Sequence, residues 1–334
     1  MHRLHIAALG FAASILSVFG DQVLPMVTNS ADVSFSTDGK SLAVLGWDRQ
    51  VRVWDLATAH VTRTLGPEAG DANCILLPPG NRFATVSTNQ TLRIRDTVSG
   101  RIMSSFAPPA DGGFDWDQVV TTADGALLAA SCTDPASPSS SIVQVIDHAG
   151  KLRFQAPAGL GGLAQMTFSP DGETLVAASW DTDIRVWDVR AGTLKHVIEA
   201  VKLETFDLAY SPDGKFLATL DADSKFYLWD TRSWKLTRKF TVQPNANRPI
   251  GFSPDGTILV TWGVIRTKSK AEPQVIVWDI ASGRQIRAWT TEGRVGLSFS
   301  PDGRQLAVAD GSKNVKMLAV SKKGSVKRFN TVNP

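Results

Sequence analysis

The chain has 334 residues, 43% of them apolar and 20% charged, so it can bury a large core and is not a disordered chain. Thirty-five Lys and Arg balance 32 Asp and Glu, for a net charge of +3 and a pI near 8.9. A surface this balanced gives no reason to expect nucleic acid as a partner.

The first twenty residues differ from everything after them. Met1 to His5 form a short basic start, Ile6 to Phe19 an uncharged run rich in Ala, Leu, Ile and Phe, and Asp21 ends it. The run is too short to span a bilayer comfortably and has the layout of a secretory signal, with Val18 and Gly20 placed for cleavage before Asp21. Export to the periplasm or the exterior is the expectation for a mature chain of residues 21–334. The alternative is an N-terminal segment packed on the domain of a cytoplasmic protein, and N-terminal sequencing of native protein separates the two. No lipobox-like cysteine follows, so neither a lipid anchor nor a transmembrane span is expected.

From residue 31 onward one unit recurs. Residues 166–188, MTFSPDGETLVAASWDTDIRVWD, show it best: strand, tight turn, strand, loop, strand. In Ser169-Pro170-Asp171-Gly172, proline presets φ at the first corner, aspartate suits the second, and glycine takes the left-handed position that closes a three-residue hairpin loop. Copies stand at 36–39, 77–80, 122–125, 211–214, 253–256 and 300–303, which makes seven, and their glycines are 41 to 47 residues apart. Sixteen residues past the glycine comes an aspartate in four repeats, Asp55, Asp96, Asp188 and Asp230. Asp147 and Asp279 arrive six and seven residues late, so repeats 3 and 6 carry insertions between the same two strands, and repeat 7 has Ala319 there.

These residues resemble the WD40-repeat family, whose units of about 40 to 45 residues each make a four-stranded propeller blade with Trp-Asp ending the third strand. Trp54-Asp55, Trp187-Asp188, Trp229-Asp230 and Trp278-Asp279 match that ending, while Arg95-Asp96, Ile146-Asp147 and Leu318-Ala319 are degraded copies. The resemblance covers about residues 31 to 330 and implies an all-β fold: a seven-bladed propeller of four antiparallel strands per blade, closing as one monomeric domain. Blades are expected near 31–68, 69–109, 110–157, 158–201, 202–242, 243–291 and 292–334. Family members often carry a Gly-His pair whose histidine joins an Asp, Ser/Thr and Trp hydrogen-bond network. None of His2, His5, His60, His148 and His196 occupies such a place, so that network is not expected here.

Four residues past each turn glycine stands a small or modest side chain, Ala43, Ala84, Ala129, Val176, Ala218, Val260 or Ala307, as suits strands converging on a central channel. Third strands alternate, as in Val51 to Trp54 and Ile184 to Trp187, and their tryptophans are expected to fill the gaps between blades. Cys74 and Cys132 lie in apolar strands at different positions of their blades; two small buried residues is the preferred reading, with a disulfide open if the protein is exported. For blade 7, the alternating residues 325–332 are expected to form the outer strand, with Val23 to Thr28 only approaching that edge.

A search for chemistry finds no phosphate loop, no His/Cys cluster at metal spacing and no nucleophile triad, so neither a cofactor nor a catalytic residue is expected. The resemblance implies a non-catalytic scaffold that displays loops to protein partners. The alternatives are a propeller enzyme or small-ligand binder using the channel mouth, and nucleic-acid binding through basic loops. Loops between second and third strands open on the face opposite the Ser-Pro-Asp-Gly turns, and that face receives both insertions. Trp47 and Trp180 stand there beside Asp48 and Asp181, eight residues past their glycines, where Thr88 and Ala222 fill the slot in repeats 2 and 5. Trp262, two residues earlier in its repeat, is expected to pack beneath the loops, though it belongs to the same candidate set. The expected partner-binding residues are Trp47, Trp180 and Trp262 with Arg266, Lys268 and Lys270 of the repeat 6 insertion.

Overall fold

The computed structural model describes residues 22–320 apart from 27, 67–70, 77–81, 88–90, 107–113, 135–136, 148–150, 161, 200–204, 224, 242–245, 267–270 and 294. Its described elements are strands, sorted into seven four-stranded antiparallel sheets. After β1 (Gln22–Pro25) come blade 1, β2 (Ser30–Phe35), β3 (Ser41–Gly46), β4 (Val51–Asp55) and β5 (His60–Leu65), and blade 2, β6 (Asp71–Leu76), β7 (Arg82–Ser87), β8 (Leu92–Asp96) and β9 (Ile102–Phe106). Blade 3 is β10 (Phe114–Thr121), β11 (Leu127–Asp134), β12 (Ser137–Asp147) and β13 (Leu152–Leu160); blade 4 is β14 (Leu163–Phe168), β15 (Thr174–Ser179), β16 (Ile184–Asp188) and β17 (Thr193–Ile198). Blade 5 is β18 (Thr205–Tyr210), β19 (Phe216–Asp221), β20 (Lys225–Asp230) and β21 (Lys235–Thr241), and blade 6 is β22 (Ala246–Phe252), β23 (Ile258–Arg266), β24 (Ala271–Asp279) and β25 (Arg284–Thr290). Blade 7 is β26 (Gly296–Phe299), β27 (Gln305–Ala309) and β28 (Asn314–Ala319), completed by β1. Inner strands pack on their neighbours from β10 round through β26 and β2 to β6, and a buried cluster of Ile94, Phe106, Leu128 and Ile146 joins blades 2 and 3, which is the seven-bladed propeller expected.

The recurring turn explains itself atom by atom. Ser169 Oγ donates to Asp171 Oδ1 (2.5 Å) and accepts from the N–H of Thr174 (2.9 Å), while Gly172, at φ 74°, donates its N–H back to Ser169 O (2.9 Å). A side chain with a nonzero steric demand would be strained at that φ. Ser36, Thr122, Ser211, Ser253 and Ser300 repeat the hydroxyl–carboxylate bond. The turns also meet one another: a Cβ at Gly39 would lie 3.3 Å from Pro301 of blade 7, and one at Gly303 3.4 Å from Pro254 of blade 6. At the other end of the unit, the aspartate of Trp-Asp caps the third-to-fourth-strand turn; Asp188 Oδ1 accepts from Ala191 N (2.7 Å) and Asp230 Oδ1 from Ser233 N (2.8 Å).

Between sheets, the small inner positions are buried, Ala84, Ala129, Val176, Ala218, Val260 and Ala307 completely. Trp54, Trp187 and Trp229 fill the wider gaps. Each removes roughly 200 Å² from water, worth on the order of 5 kcal/mol. Two indole-to-hydroxyl bonds form without histidine: Trp229 Nε1 donates to Thr219 (3.0 Å) and Trp278 Nε1 to Thr261 (2.9 Å). Cys74 and Cys132 lie on β6 and β11, and their side chains fall outside the described residues.

Two expectations need correcting. The outer strand of blade 7 is β1, paired antiparallel with β28 in the register Gln22↔Met317 to Pro25↔Asn314. Alternation alone does not distinguish strands at a sheet edge. Burial does, since Leu24 and Met26 enter a core cluster with Val33, Trp54, Ala307, Val315 and Met317. Met26 N donates to Lys313 O (2.7 Å) and Ser30 N to Ser312 O (2.9 Å), extending the seam. Residues 325–332 lie outside the described residues, as do residues 1–20. Secondly, the insertions of repeats 3 and 6 lengthen the second and third strands and leave the loops between them no longer than those of blades 1 and 4: pairing runs out to Asp134↔Ser137 in blade 3 and to Arg266↔Ala271 in blade 6.

Candidate protein-interaction face

The loops from second to third strand in blades 1 and 4 are twin tight turns. Arg49 N donates to Gly46 O (2.9 Å) and Thr182 N to Ser179 O (3.2 Å), with Arg49 and Thr182 both in the left-handed region, at φ 62° and 76°. Trp47 and Trp180 occupy the first corner of these turns and are 67% and 39% exposed. Trp262 sits within β23 instead, 6% exposed, its indole donating to Thr291 Oγ1 (3.1 Å) amid Val260, Val275 and Val295. It belongs to the core and not to the surface. Arg266 pairs through its backbone with Ala271, while its side chain, Lys268 and Lys270 lie outside the described residues.

Each twin turn is braced by an ion pair that the sequence reading overlooked. Arg52 grips Asp48 through two nitrogens (3.1 and 2.5 Å), and Arg185 grips Asp181 the same way (3.0 and 2.9 Å) while also reaching Asp183 (3.0 Å). These arginines stand thirteen residues past their turn glycines, and in blades 5 and 7 that slot holds Tyr227, donating to Asp221 (2.8 Å), and Lys316, donating to Asp310 (2.7 Å). The signal was legible as an acid in the loop with a donor on the next strand. Arg52 holds the Asp48 carboxyl below its ordinary range. Burial pushes Asp181 up, but the Arg185 bonds and the N–H groups of Leu160 and Asp183 outweigh it and bring it below that range. Burial and the neighbouring Asp221 push the Tyr227 phenol up.

The braces also tie blade to blade. Arg185 Nη1 donates to Ala158 O (3.1 Å) and Asp181 accepts from Leu160 N (3.1 Å), which fastens the end of blade 3's outer strand to blade 4. In blade 1, Asp48 accepts from Thr28, and Trp47 N donates to Asn29 O (2.9 Å). Blades 1 and 4 are three apart in a ring of seven, so Trp47 and Trp180 stand on nearly opposite sides of the channel mouth. The structure does not bring them into one patch.

On the opposite face the channel mouth opens into a cavity of about 730 Å³ lined by Phe168, Tyr210, Phe252, Phe299 and the turn prolines Pro170, Pro212 and Pro254. Its described lining has no histidine or carboxylate. At the seam of blades 7 and 1, Asp32 follows a bulge in β2, and a Cβ at Gly296 would lie 2.5 Å from its carboxyl. Burial pushes the Asp32 carboxyl up to about 6, with the N–H of Val33 (2.8 Å) acting the other way. Among the described residues no group of three or more His, Cys, Asp or Glu could hold a metal ion, and no helix is long and apolar enough to cross a membrane.

The family model described as WD domain, G-beta repeat matches residues 28–55, 155–188 and 196–230. Over 182 residues the chain is 30% identical to a guanine nucleotide-binding protein subunit beta of Nicotiana plumbaginifolia, covering 51% of this chain and 47% of that one. It is 30% identical over 168 residues to the WD repeat-containing protein SL1-17 of Schistosoma mansoni, covering 48% and 51%, and 28% identical over 183 residues to the subunit beta of Arabidopsis thaliana, covering 51% and 47%. The chain thus spans about half the length of these curated relatives. Seven four-stranded blades, four Trp-Asp strand ends, the recurring turns and these matches together identify the chain as a seven-bladed β-propeller that carries WD40 repeats.

Proposed function

We propose that the protein is a non-catalytic scaffold that binds a protein partner through the face bearing Trp47, Trp180 and the Arg266 to Lys270 loop. The observation that carries this reading is the pair of exposed tryptophans on braced turns. An exposed tryptophan on a rigid turn loses little conformational freedom on binding, and indoles at the centre of an interface commonly contribute about 2 kcal/mol or more. WD40 propellers commonly mediate protein interactions, and the relatives include a G-protein subunit by name. Changing Trp47 and Trp180 to alanine in bait protein should lower capture of the partner identified with wild-type bait from the native host at least tenfold, with unfolding free energy lowered by no more than about 2 kcal/mol, most of it from Trp180. Undiminished capture, or a large loss of stability, would overturn the assignment.

A further inference from the structure

The two halves of this face differ in what surrounds the tryptophan. Around Trp180 an apolar patch forms: Phe206 of blade 5 packs edge-on at 6.2 Å between ring centres, and Leu160, 60% exposed, ends the strand whose backbone wraps onto the Trp180 turn. Ser179 Oγ donates to Leu160 O (3.2 Å) and Gly162 O (3.1 Å), and Trp180 N donates to Gly162 O (3.1 Å), so the backbones of Leu160, Gly162 and Trp180 are held together. The lengthened hairpin of blade 3 flanks the patch, with Ser140 paired to Leu160 and Ser141 to Gly159.

Charge divides the face along the same line. Beside the patch, the described loop and strand-end residues of blades 4 and 5 include five acids, Asp181, Asp183, Glu199, Asp221 and Asp223, against three bases, Arg185, Lys225 and Lys239, the last lying over the Tyr227 ring. Across the channel, blades 7 and 1 present four bases, Arg49, Arg52, Lys313 and Lys316, against three acids, Asp48, Glu292 and Asp310. Arg185 and Lys225 are already engaged by Asp181, Asp183 and Asp223, so the local excess is negative on a chain whose net charge is +3.

We propose that the Leu160–Trp180–Phe206 patch is the partner's anchor site, and that it takes a basic amphipathic protein segment, an apolar side chain flanked by Lys or Arg. This rests on the reading of the face as an interaction surface and narrows it to blades 3 to 5. Complementary charge speeds encounter and selects against acidic segments, while the apolar anchor supplies most of the affinity.

The test uses the full chain and two labelled fourteen-residue helical peptides, one of leucine and lysine and one of leucine and glutamate, followed by fluorescence anisotropy. The lysine peptide should bind at least tenfold tighter than the glutamate peptide. Trp180→Ala should weaken it about tenfold and Trp47→Ala less than twofold. Glu199→Gln with Asp223→Asn, both on exposed side chains, should weaken it about fivefold, which keeps the test open if Trp180→Ala folds poorly. Equal binding of the two peptides, or equal loss in the two tryptophan variants, would overturn the proposal. If host-partner capture is lost in the double tryptophan variant while the peptides bind alike, the scaffold reading stands and this one falls.

Discussion

Blades 1 and 4 carry nearly the same loop, Gly46-Trp47-Asp48-Arg49 and Ser179-Trp180-Asp181-Thr182, with an arginine on the next strand closing each. The loops fasten different things. In blade 4 the Asp181–Arg185 pair holds residues 158–160, the end of the strand immediately before the blade. In blade 1 the Asp48–Arg52 pair holds Thr28, which follows the strand that closes the ring with blade 7. One motif therefore serves as a local staple in one place and as part of a long-range seam in the other. It also leaves Trp47 standing clear and Trp180 beside Phe206.

That contrast makes the seam the sensitive side. Leu24→Asp puts a charge into the cluster of Trp54, Val315 and Met317 and should cost about 4 kcal/mol. Hydrogen exchange should then accelerate first in β28 and β2, while β15 and β16 stay protected. Uniform acceleration through all seven blades would erase the distinction between composite and contiguous blades.

A smaller effect sharpens the comparison directly. Arg52→Met and Arg185→Met each strand a partly buried aspartate and should cost about 2 kcal/mol. Their footprints should differ: Arg185→Met should speed exchange of the Leu160 amide, which Asp181 accepts, and Arg52→Met should speed exchange at Trp47 and Ser30. Identical footprints would mean that the two turns do the same job.

The smallest expected effect is a pH dependence confined to the seam. Asp32 titrates near 6 in the fold against an ordinary 3.8, so the folded chain holds its proton more tightly than the unfolded one. Its contribution to stability is fully present below about 3.8, declines as pH rises through 6, and is unfavourable by comparison at pH 8. Asp32→Asn should accordingly stabilise the protein at pH 8, by on the order of 1 kcal/mol once partial solvent screening is allowed for, and change little near pH 4. Denaturant midpoints of both forms across that range measure it. A stabilisation independent of pH would remove the carboxylate from the explanation.

The fold was legible because its determinants are local. A hydroxyl, an aspartate and a glycine at fixed spacing make the same turn wherever they occur, as Ser169, Asp171 and Gly172 show, and the Asp of Trp-Asp caps a turn three residues away. Exposure of Trp47 and Trp180 was equally local, since a residue at the first corner of a tight turn, followed by a charge, points outward. The bracing arginines were overlooked because nothing in one repeat marks a strand cation as a loop ligand, although the thirteen-residue offset recurs in Arg52 and Arg185.

What the amino-acid order determined by itself is thus the repeat: turn, strand pattern, small inner residues and the count of seven. Only the tertiary structure decided which segment closes the ring, because alternation marks Gln22–Pro25 no more than other stretches and it is pairing with β28 and burial of Leu24 and Met26 that place it at that edge. It also decided that Trp262 is core and that Trp180 meets Phe206 and the Leu160 strand end, since contacts between blades depend on residues tens of positions apart that no single repeat contains.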